Sequence, residues 1–196
     1  MKKKYLALAL AGVSLLTACA SKDEEITPPA LEAELEEDQE EVAWFKDMKT
    51  KNLKGEEIDS SIFAENDLTL VNAWNTSCPP CLAELPELEK VSKRYDNVGI
   101  KGLVIELSTR GISPGISDKE RASVDKILEG AQAKYEQILV WEDLLDTAFV
   151  YYLEAFPTTF FLDSQGEIVY IMAGAKDEDG WVETIDKVLE LVKDEE

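Results

Sequence analysis

The stretch Leu68-Thr-Leu-Val-Asn-Ala-Trp74, followed by Asn-Thr-Ser-Cys78-Pro-Pro-Cys81, contains the residues that decide the fold. Its first half is apolar and rich in strand-forming residues, which predicts a buried strand. A helix is predicted to begin at the cysteines, with Pro79 in its first turn, where a missing N–H costs nothing. Two cysteines three positions apart at a strand-to-helix junction are typical of a redox dithiol.

The spacing of Cys78 and Cys81 suits a disulfide that opens and closes reversibly, because the ring that it forms is small. Free N–H groups and the helix dipole favour a thiolate at Cys78, which we therefore predict to be the attacking nucleophile. Cys81, expected to be more buried, is the predicted resolving thiol. A static structural disulfide is the first alternative, although so small a ring constrains the unfolded chain little. Half of a zinc site is the second, but neither a histidine nor another cysteine pair supplies the missing ligands.

The segments after the dithiol alternate between helix and strand patterns. Helices are predicted over 82–95, 117–134, 143–153 and 179–193, and strands over 102–107, 138–141, 158–162 and 168–172. Asp163-Ser-Gln-Gly166 separates the last two strands and is a hairpin signal. This order predicts an α/β fold with a central mixed β-sheet flanked by helices on both faces, in which the first strands pair in parallel.

Charge and composition exclude several classes of function. The chain of 196 residues carries 41 Asp and Glu against 20 Lys and Arg, a net charge of -21. Such an acidic surface repels nucleic acid and anionic lipid headgroups. Histidine is absent, so Ser-His-Asp triads, Cys-His dyads and histidine metal ligands are excluded. We therefore expect no nucleic-acid partner and no metal.

The N-terminal part is predicted to direct export. Residues 1–18 combine three lysines with an apolar run that is too short to span a bilayer, which is typical of a cleaved signal rather than a transmembrane helix. Leu16-Thr-Ala-Cys19 resembles the lipobox of bacterial lipoproteins, which implies that Cys19 is lipid-modified and becomes the first mature residue. Residues 19–43 are acidic and are predicted to be a flexible tether. Residues 44–196 are predicted to form the folded domain.

The chain from Trp44 onward resembles the membrane-tethered thioredoxin-like reductases of the TlpA/ResA type. Four motifs carry the resemblance: Asn72-Ala-Trp74, Cys78-Pro-Pro-Cys81, Glu84-Leu-Pro86 and Phe156-Pro-Thr-Thr-Phe-Phe-Leu-Asp163. The resemblance implies a thioredoxin-like fold. It covers about three quarters of the sequence, and the dithiol with the later Pro-Thr-Thr segment is a specific combination.

The resemblance also implies roles for individual residues. Pro157 is expected to be a cis proline beside the dithiol, where the Phe156 backbone pairs with a substrate peptide as an added strand. Trp74 and Thr158 belong to the same motifs and are expected to line the substrate site. Glu84 matches a carboxylate that takes part in the proton chemistry of the dithiol. The alternatives are an ordinary trans Pro157 and a Glu84 that is one surface acid among many.

The function that the resemblance implies is extracytoplasmic thiol-disulfide exchange by a lipid-anchored monomer without a cofactor beyond its own disulfide. Its expected substrates are disulfides in exported proteins such as apocytochrome c, and a membrane thiol-electron carrier is expected to recharge it. The linker Pro79-Pro80 contains no histidine, which favours a reductase over a strong oxidant. Ser77 stands where many relatives carry Trp, which leaves the fit to partners open. A thiol peroxidase and a redox-inactive surface binding module are the alternatives, although Val71 and Asn75 interrupt the peroxiredoxin signature.

Overall fold

The computed structural model describes residues 44–108, 111–147, 149–153 and 155–194. All of them belong to one unit, Gln39–Glu196. The predicted signal segment 1–18, the lipidation site Cys19 and the tether 19–43 lie outside the described residues. No helix among the described residues has both the length and the apolar character that a bilayer-spanning segment needs.

The secondary structure alternates between strands and helices, as the sequence predicts. In chain order the elements are β1 (Lys49–Lys51), β2 (Glu57–Asp59), a 3₁₀ helix (Ser60–Phe63), β3 (Leu68–Trp74), α1 (Pro79–Val91), β4 (Val98–Val104), β5 (Leu107–Ser108), β6 (Gly111–Ile112), α2 (Asp118–Ala131), β7 (Gln137–Leu139), α3 (Glu142–Leu145), α4 (Phe149–Tyr152), β8 (Thr158–Leu162), β9 (Ile168–Ala173) and α5 (Glu178–Asp194).

A five-stranded mixed sheet in the order β7-β4-β3-β8-β9 forms the centre of the fold. β3 pairs in parallel with β4, and β4 pairs in parallel with β7, whereas β8 is antiparallel to both β3 and β9. Every residue of the central strand β3 is buried. The predicted mixed sheet, its parallel first strands and the β8–β9 hairpin are therefore confirmed.

The two faces of the sheet are covered differently. The long helices α1, α2 and α5 pack on one face, where Leu68, Leu70 and Trp74 of β3 point. The opposite face, which receives Val71 and Ala73, is covered by the short helices α3 and α4 and by an aromatic cluster. This aromatic cluster consists of Trp44, Phe45, Phe63, Trp141, Phe149 and Phe160. Helices therefore flank both faces, as predicted.

Several predicted boundaries are wrong. The helix predicted over 143–153 is two four-residue helices, because the Thr147 hydroxyl donates to the Leu144 carbonyl and accepts from the Phe149 N–H, which ends one helix and begins the next. The strand predicted over 102–107 is β4, which runs from Val98 to Val104, and Leu107 is 56% exposed rather than buried. The hairpin β1–β2 was not predicted, because its three-residue strands carry no apolar alternation.

Candidate active site

The dithiol lies where the central strand passes into the first long helix. Cys78 is the N-cap of α1, and its sulfur accepts a hydrogen bond from the Cys81 N–H at 3.2 Å. Pro79 and Pro80 occupy the first two helical positions, where the backbone of an α-helix needs no N–H donors. The predicted helix start at the cysteines is therefore confirmed.

The two cysteines form a disulfide, with a Cα–Cα distance of 5.3 Å. Cys78 keeps 8% of its surface exposed, whereas Cys81 is fully buried. Cys78 is thus the more exposed of the two cysteines, as the sequence predicts for a nucleophile that a substrate has to reach. The roles of the two sulfurs in exchange remain predictions.

The loop before β8 lies beside the dithiol. The Phe156–Pro157 peptide bond is cis, as the resemblance implies. The Phe156 side chain packs against the apolar cluster that contains Cys78 and Cys81, although the loop is more than seventy positions later in the chain. Cis-proline and dithiol are thus brought together by the antiparallel pairing of β8 with β3.

Trp74 and Thr158 are also part of this region, but their side chains are buried. Trp74 is 0% exposed and donates its indole N–H to the Gln137 side-chain oxygen at 2.9 Å. Thr158 is 1% exposed and donates its hydroxyl to the Ala155 carbonyl at 2.8 Å. In this disulfide form their side chains are part of the buried core beneath the surface of the site and do not line an open surface. Their contact with a substrate remains a prediction.

Glu84 is a core residue, and the alternative of a surface acid is wrong. Its side chain lies on α1 and the residue is 1% exposed. Asn72 of β3 donates its amide N–H to Oε1 at 2.9 Å, and the Lys176 backbone N–H donates to Oε2 at 3.4 Å. The Asn72 amide also donates to the Thr159 hydroxyl at 3.0 Å. A carboxyl group is therefore held between α1 and the sheet, one helical turn beyond Cys81.

Burial raises the pKa of Glu84 from 4.5 to about 7, against the opposing effect of the hydrogen bonds from Asn72 and Lys176. The cause is the desolvation of the charged form. The charge of Glu84 in turn contributes, after burial, to the raised pKa of Tyr135. Near neutral pH the carboxyl group can therefore both accept and release a proton, which is what a proton partner for the dithiol requires.

The stability of the protein should depend on the ionisation of Glu84. Because its pKa is higher in the folded protein than in the unfolded chain, folding is favoured by the protonated form. The resulting stabilisation is complete below about pH 4.5 and is lost as the pH rises through about 7. It amounts to about 3 kcal/mol. We expect Glu84→Gln, which cannot ionise, to lack this decline in urea denaturation between pH 5 and pH 8.

The matched control is Glu129→Gln, the same change at an exposed position of α2, which should retain the wild-type decline. Parallel stability curves for the wild type and Glu84→Gln would contradict the assigned ionisation. Both proteins are compared with the disulfide intact, so that the redox state does not contribute.

The sequence analysis missed a buried polar row on the face of the sheet that α1, α2 and α5 cover. Thr159, Asn72, Gly102 and Gln137 lie side by side on β8, β3, β4 and β7. A Cβ atom on Gly102 would lie 1.9 Å from the Gln137 side-chain oxygen, so only glycine leaves room for that side chain. Asn72 inside an apolar run and a glycine inside a strand are the signals that could have indicated this row.

Among the described residues, no group of three or more Cys, Asp or Glu side chains is arranged to hold a metal ion.

A mixed sheet, a disulfide at the start of the helix that follows its central strand, and a cis-proline loop beside it define the thioredoxin-fold thiol-disulfide oxidoreductases. The profile of the Redoxin family matches residues 38–189, and the chain belongs to this family. The predicted TlpA/ResA-like class and the thioredoxin-like fold are confirmed.

Relatives in sequence carry names of this class. The thiol-disulfide oxidoreductase ResA of Halalkalibacterium halodurans is 24% identical over 145 residues, which are 74% of this chain and 73% of the relative. ResA of Geobacillus kaustophilus is 26% identical over 75% of each chain. The sporulation thiol-disulfide oxidoreductase A of Bacillus subtilis is 26% identical over 60% of this chain and 65% of its own.

Solved structures show the same fold. StoA from Bacillus subtilis superposes with a TM-score of 0.52 at 22% identity, over 69% of this chain and 93% of its own. A thioredoxin family thiol:disulfide interchange protein from Chlorobium tepidum gives a TM-score of 0.56 at 18% identity, over 72% and 92% of the two chains.

Proposed function

We propose that this chain is a reductase of protein disulfides that acts outside the cytoplasm. The observation that carries the proposal is the Cys78–Cys81 disulfide at the N-terminus of α1, in which Cys78 is partly exposed, with Phe156 packed against the apolar cluster that contains both cysteines. A substrate sulfur can approach only Cys78, because Cys81 is fully buried. The relatives named ResA support the same class of reaction.

The reaction proceeds in two exchanges. In the reduced protein the Cys78 thiolate attacks one sulfur of a substrate disulfide, a mixed disulfide forms, and the other substrate sulfur leaves as a thiolate. The Cys81 thiol then loses its proton and attacks the Cys78 sulfur, which releases the second substrate sulfur and closes the ring. Two electrons pass to the substrate, and each released thiolate takes up one proton.

Glu84 is the proton partner that the geometry favours for the second exchange. It is buried on the same helix as Cys81, and its pKa of about 7 allows it to accept the proton of the resolving thiol and to return it later. As a carboxylate it also disfavours a nearby thiolate by like-charge repulsion. Both effects favour a dithiol that acts as a reductant.

A reducing role is also supported by the linker between the sulfurs. Pro79 and Pro80 carry no positive charge that would stabilise the Cys78 thiolate. A less stable thiolate makes the reduced protein a stronger reductant, and about 150 mV, or roughly 7 kcal/mol, separates thioredoxin-like from strongly oxidising dithiols. The absence of the peroxiredoxin signature argues against the thiol peroxidase, and the disulfide argues against the redox-inactive binding module.

The proposed place of action is the outer side of the cell membrane. The signal pattern of residues 1–18, the lipobox ending at Cys19 and the acidic tether 19–43 support it. The proposed partners are exported proteins with disulfides, such as apocytochrome c, and a membrane thiol-electron carrier that reduces the Cys78–Cys81 disulfide again.

Replacing Cys81 by serine should trap the substrates. Without the resolving thiol the mixed disulfide on Cys78 persists, because no neighbouring thiol is left to displace the substrate. We expect the full-length variant, expressed in cells, to form larger species on non-reducing gels that disappear on treatment with dithiothreitol and that fractionate with membranes. The control is the double variant Cys78→Ser, Cys81→Ser, which retains Cys19 and should trap nothing.

If the Cys81→Ser variant yields no trapped species, the enzymatic role is refuted. Trapped species in the soluble fraction alone would refute the lipid anchor but not the exchange reaction.

A further inference from the structure

The loop that leads into the dithiol is held by a carboxylate from the segment that follows the neighbouring strand β4. β3 and β4 are parallel and end together, with Trp74 opposite Val104. The Ile105 N–H donates to the Trp74 carbonyl at 2.9 Å, which extends the pairing beyond the two strands. Glu106, the next residue, is therefore placed beside the loop 75–77 that connects β3 to Cys78.

Both oxygens of Glu106 bind Thr76. The Thr76 backbone N–H donates to Oε1 and the Thr76 hydroxyl donates to Oε2, each at 2.9 Å. The two N–H groups that follow are satisfied inside the loop, since Ser77 donates to the Asn75 side chain at 2.9 Å and Cys78 donates to the Asn75 carbonyl at 3.3 Å. Thr76 is thus the residue through which this loop is bound to the segment that follows β4.

We propose that Glu106 is a positioning residue of the dithiol site, which fastens the loop before Cys78 and lowers the thiolate content of the reduced protein. The proposal rests on the proposed function, because it assumes that Cys78 cycles through a thiolate. Thr76 lies two residues before Cys78, so their Cα atoms are at most about 7.6 Å apart. Since the Thr76 N–H lies 2.9 Å from Oε1, the carboxylate is within roughly 12 Å of the Cys78 Cα, which is comparable with the Debye length of about 10 Å at 0.1 M salt.

The sign of the effect follows from the charges. Reduction of the disulfide by two glutathione molecules transfers two electrons, gives two thiols and releases glutathione disulfide. The disulfide and the thiols are neutral, so the Glu106 charge affects the equilibrium between the disulfide and the dithiol only when Cys78 ionises. It then disfavours the thiolate and with it the reduced form. Glu106 therefore makes the dithiol a stronger reductant, and only at pH values at which the thiolate is populated.

A change at Glu106 leaves in place the other titratable groups that the described residues bring to the dithiol region. They are Cys81 and Glu84 on α1, and Tyr135, which packs against the apolar cluster of the dithiol. Because they are present in the wild type and in a Glu106 variant alike, their contributions cancel in a comparison of the two proteins.

The test is Glu106→Gln in the otherwise unchanged protein. Glutamine keeps an acceptor for the Thr76 N–H but removes the charge. We expect the midpoint of the pH profile of Cys78 alkylation by iodoacetamide to fall by about half a pH unit, which corresponds to an interaction at an effective dielectric constant of about 40. The equilibrium with glutathione should shift about threefold towards the reduced protein at pH 9 and should not change at pH 6.

Two further variants separate charge from fastening. Thr76→Val removes the hydroxyl donor but leaves the charge, so it should leave the midpoint in place. Asp163→Asn makes the same chemical change at a carboxylate that also accepts two backbone N–H groups, those of Gln165 and Glu167. Asp163 follows Leu162, which pairs with Thr69 near the start of β3. It thus lies roughly 17 Å from the dithiol end of that strand, and no shift is expected.

An unchanged midpoint in Glu106→Gln, or an equal shift in Asp163→Asn, would overturn the proposal. A glutathione equilibrium that shifts equally at pH 6 and pH 9 would also overturn it, since a change in loop geometry alone has no reason to follow ionisation. A wild-type disulfide that glutathione and dithiothreitol cannot open would instead refute the proposed function itself.

Discussion

Replacement of Cys78 by serine is expected to abolish disulfide exchange and to lower the rate of insulin disulfide reduction by at least about a thousandfold. Cys78 is the only sulfur of the ring with an exposed surface, and Cys81 is enclosed by the apolar cluster around it. A serine hydroxyl is not appreciably ionised near neutral pH, so it cannot replace the thiolate as the nucleophile. The measurement is the reduction of insulin disulfides driven by dithiothreitol.

Cys81→Ser is the matched control, because it makes the same change in the same four-residue ring. It should also lose turnover, but a single mixing experiment should still show stoichiometric formation of a mixed disulfide with a small aromatic disulfide. Cys78→Ser should form none. If the reverse is observed, Cys81 is the nucleophile and the assignment based on exposure is wrong.

Replacement of Phe160 by alanine should have the largest effect on stability, a loss of about 3–5 kcal/mol in the free energy of unfolding. Phe160 is 0% exposed and lies in the aromatic cluster, with ring centroids 5.3 Å from Phe149, 5.6 Å from Phe45 and 6.0 Å from Trp44. Alanine leaves a cavity among large, rigid side chains that cannot all move to fill it. Since domains of this size are stable by about 5–15 kcal/mol, this loss is a large fraction of the total stability.

Phe160→Leu is the control, since it keeps most of the volume and should cost less than about half as much. Urea denaturation at one pH, with the disulfide intact in all three proteins, gives the comparison. A loss below about 1 kcal/mol for Phe160→Ala would contradict the inferred role of the aromatic cluster. Phe160 is three residues after Pro157, so this cluster also supports the strand that begins beside the dithiol.

The predictions from sequence succeeded where neighbouring residues are sufficient. The hairpin around Asp163–Gly166 is confirmed, and it was predictable because its turn residues lie between two β-prone runs. The start of α1 at the cysteines is also confirmed, and it was predictable because capping and the first-turn prolines act within three positions. The helix predicted over 143–153 is wrong because its apolar residues have helical spacing, while the Thr147 hydroxyl bonds that divide it are not visible in that pattern.

The sequence by itself determined that two sulfurs stand at the junction of a buried strand and a helix, because spacing, capping and apolar periodicity are properties of short segments. Only the tertiary structure decided that Glu84 is enclosed and that its pKa is raised to about 7, because the residues that enclose it include Asn72 and Lys176, 12 and 92 positions away. The tertiary structure also decided that the Glu106 carboxylate accepts a hydrogen bond from Thr76, 30 positions away. These contacts depend on the parallel register of β3 with β4 and on the packing of α1 against the sheet, and a register is set by the whole core.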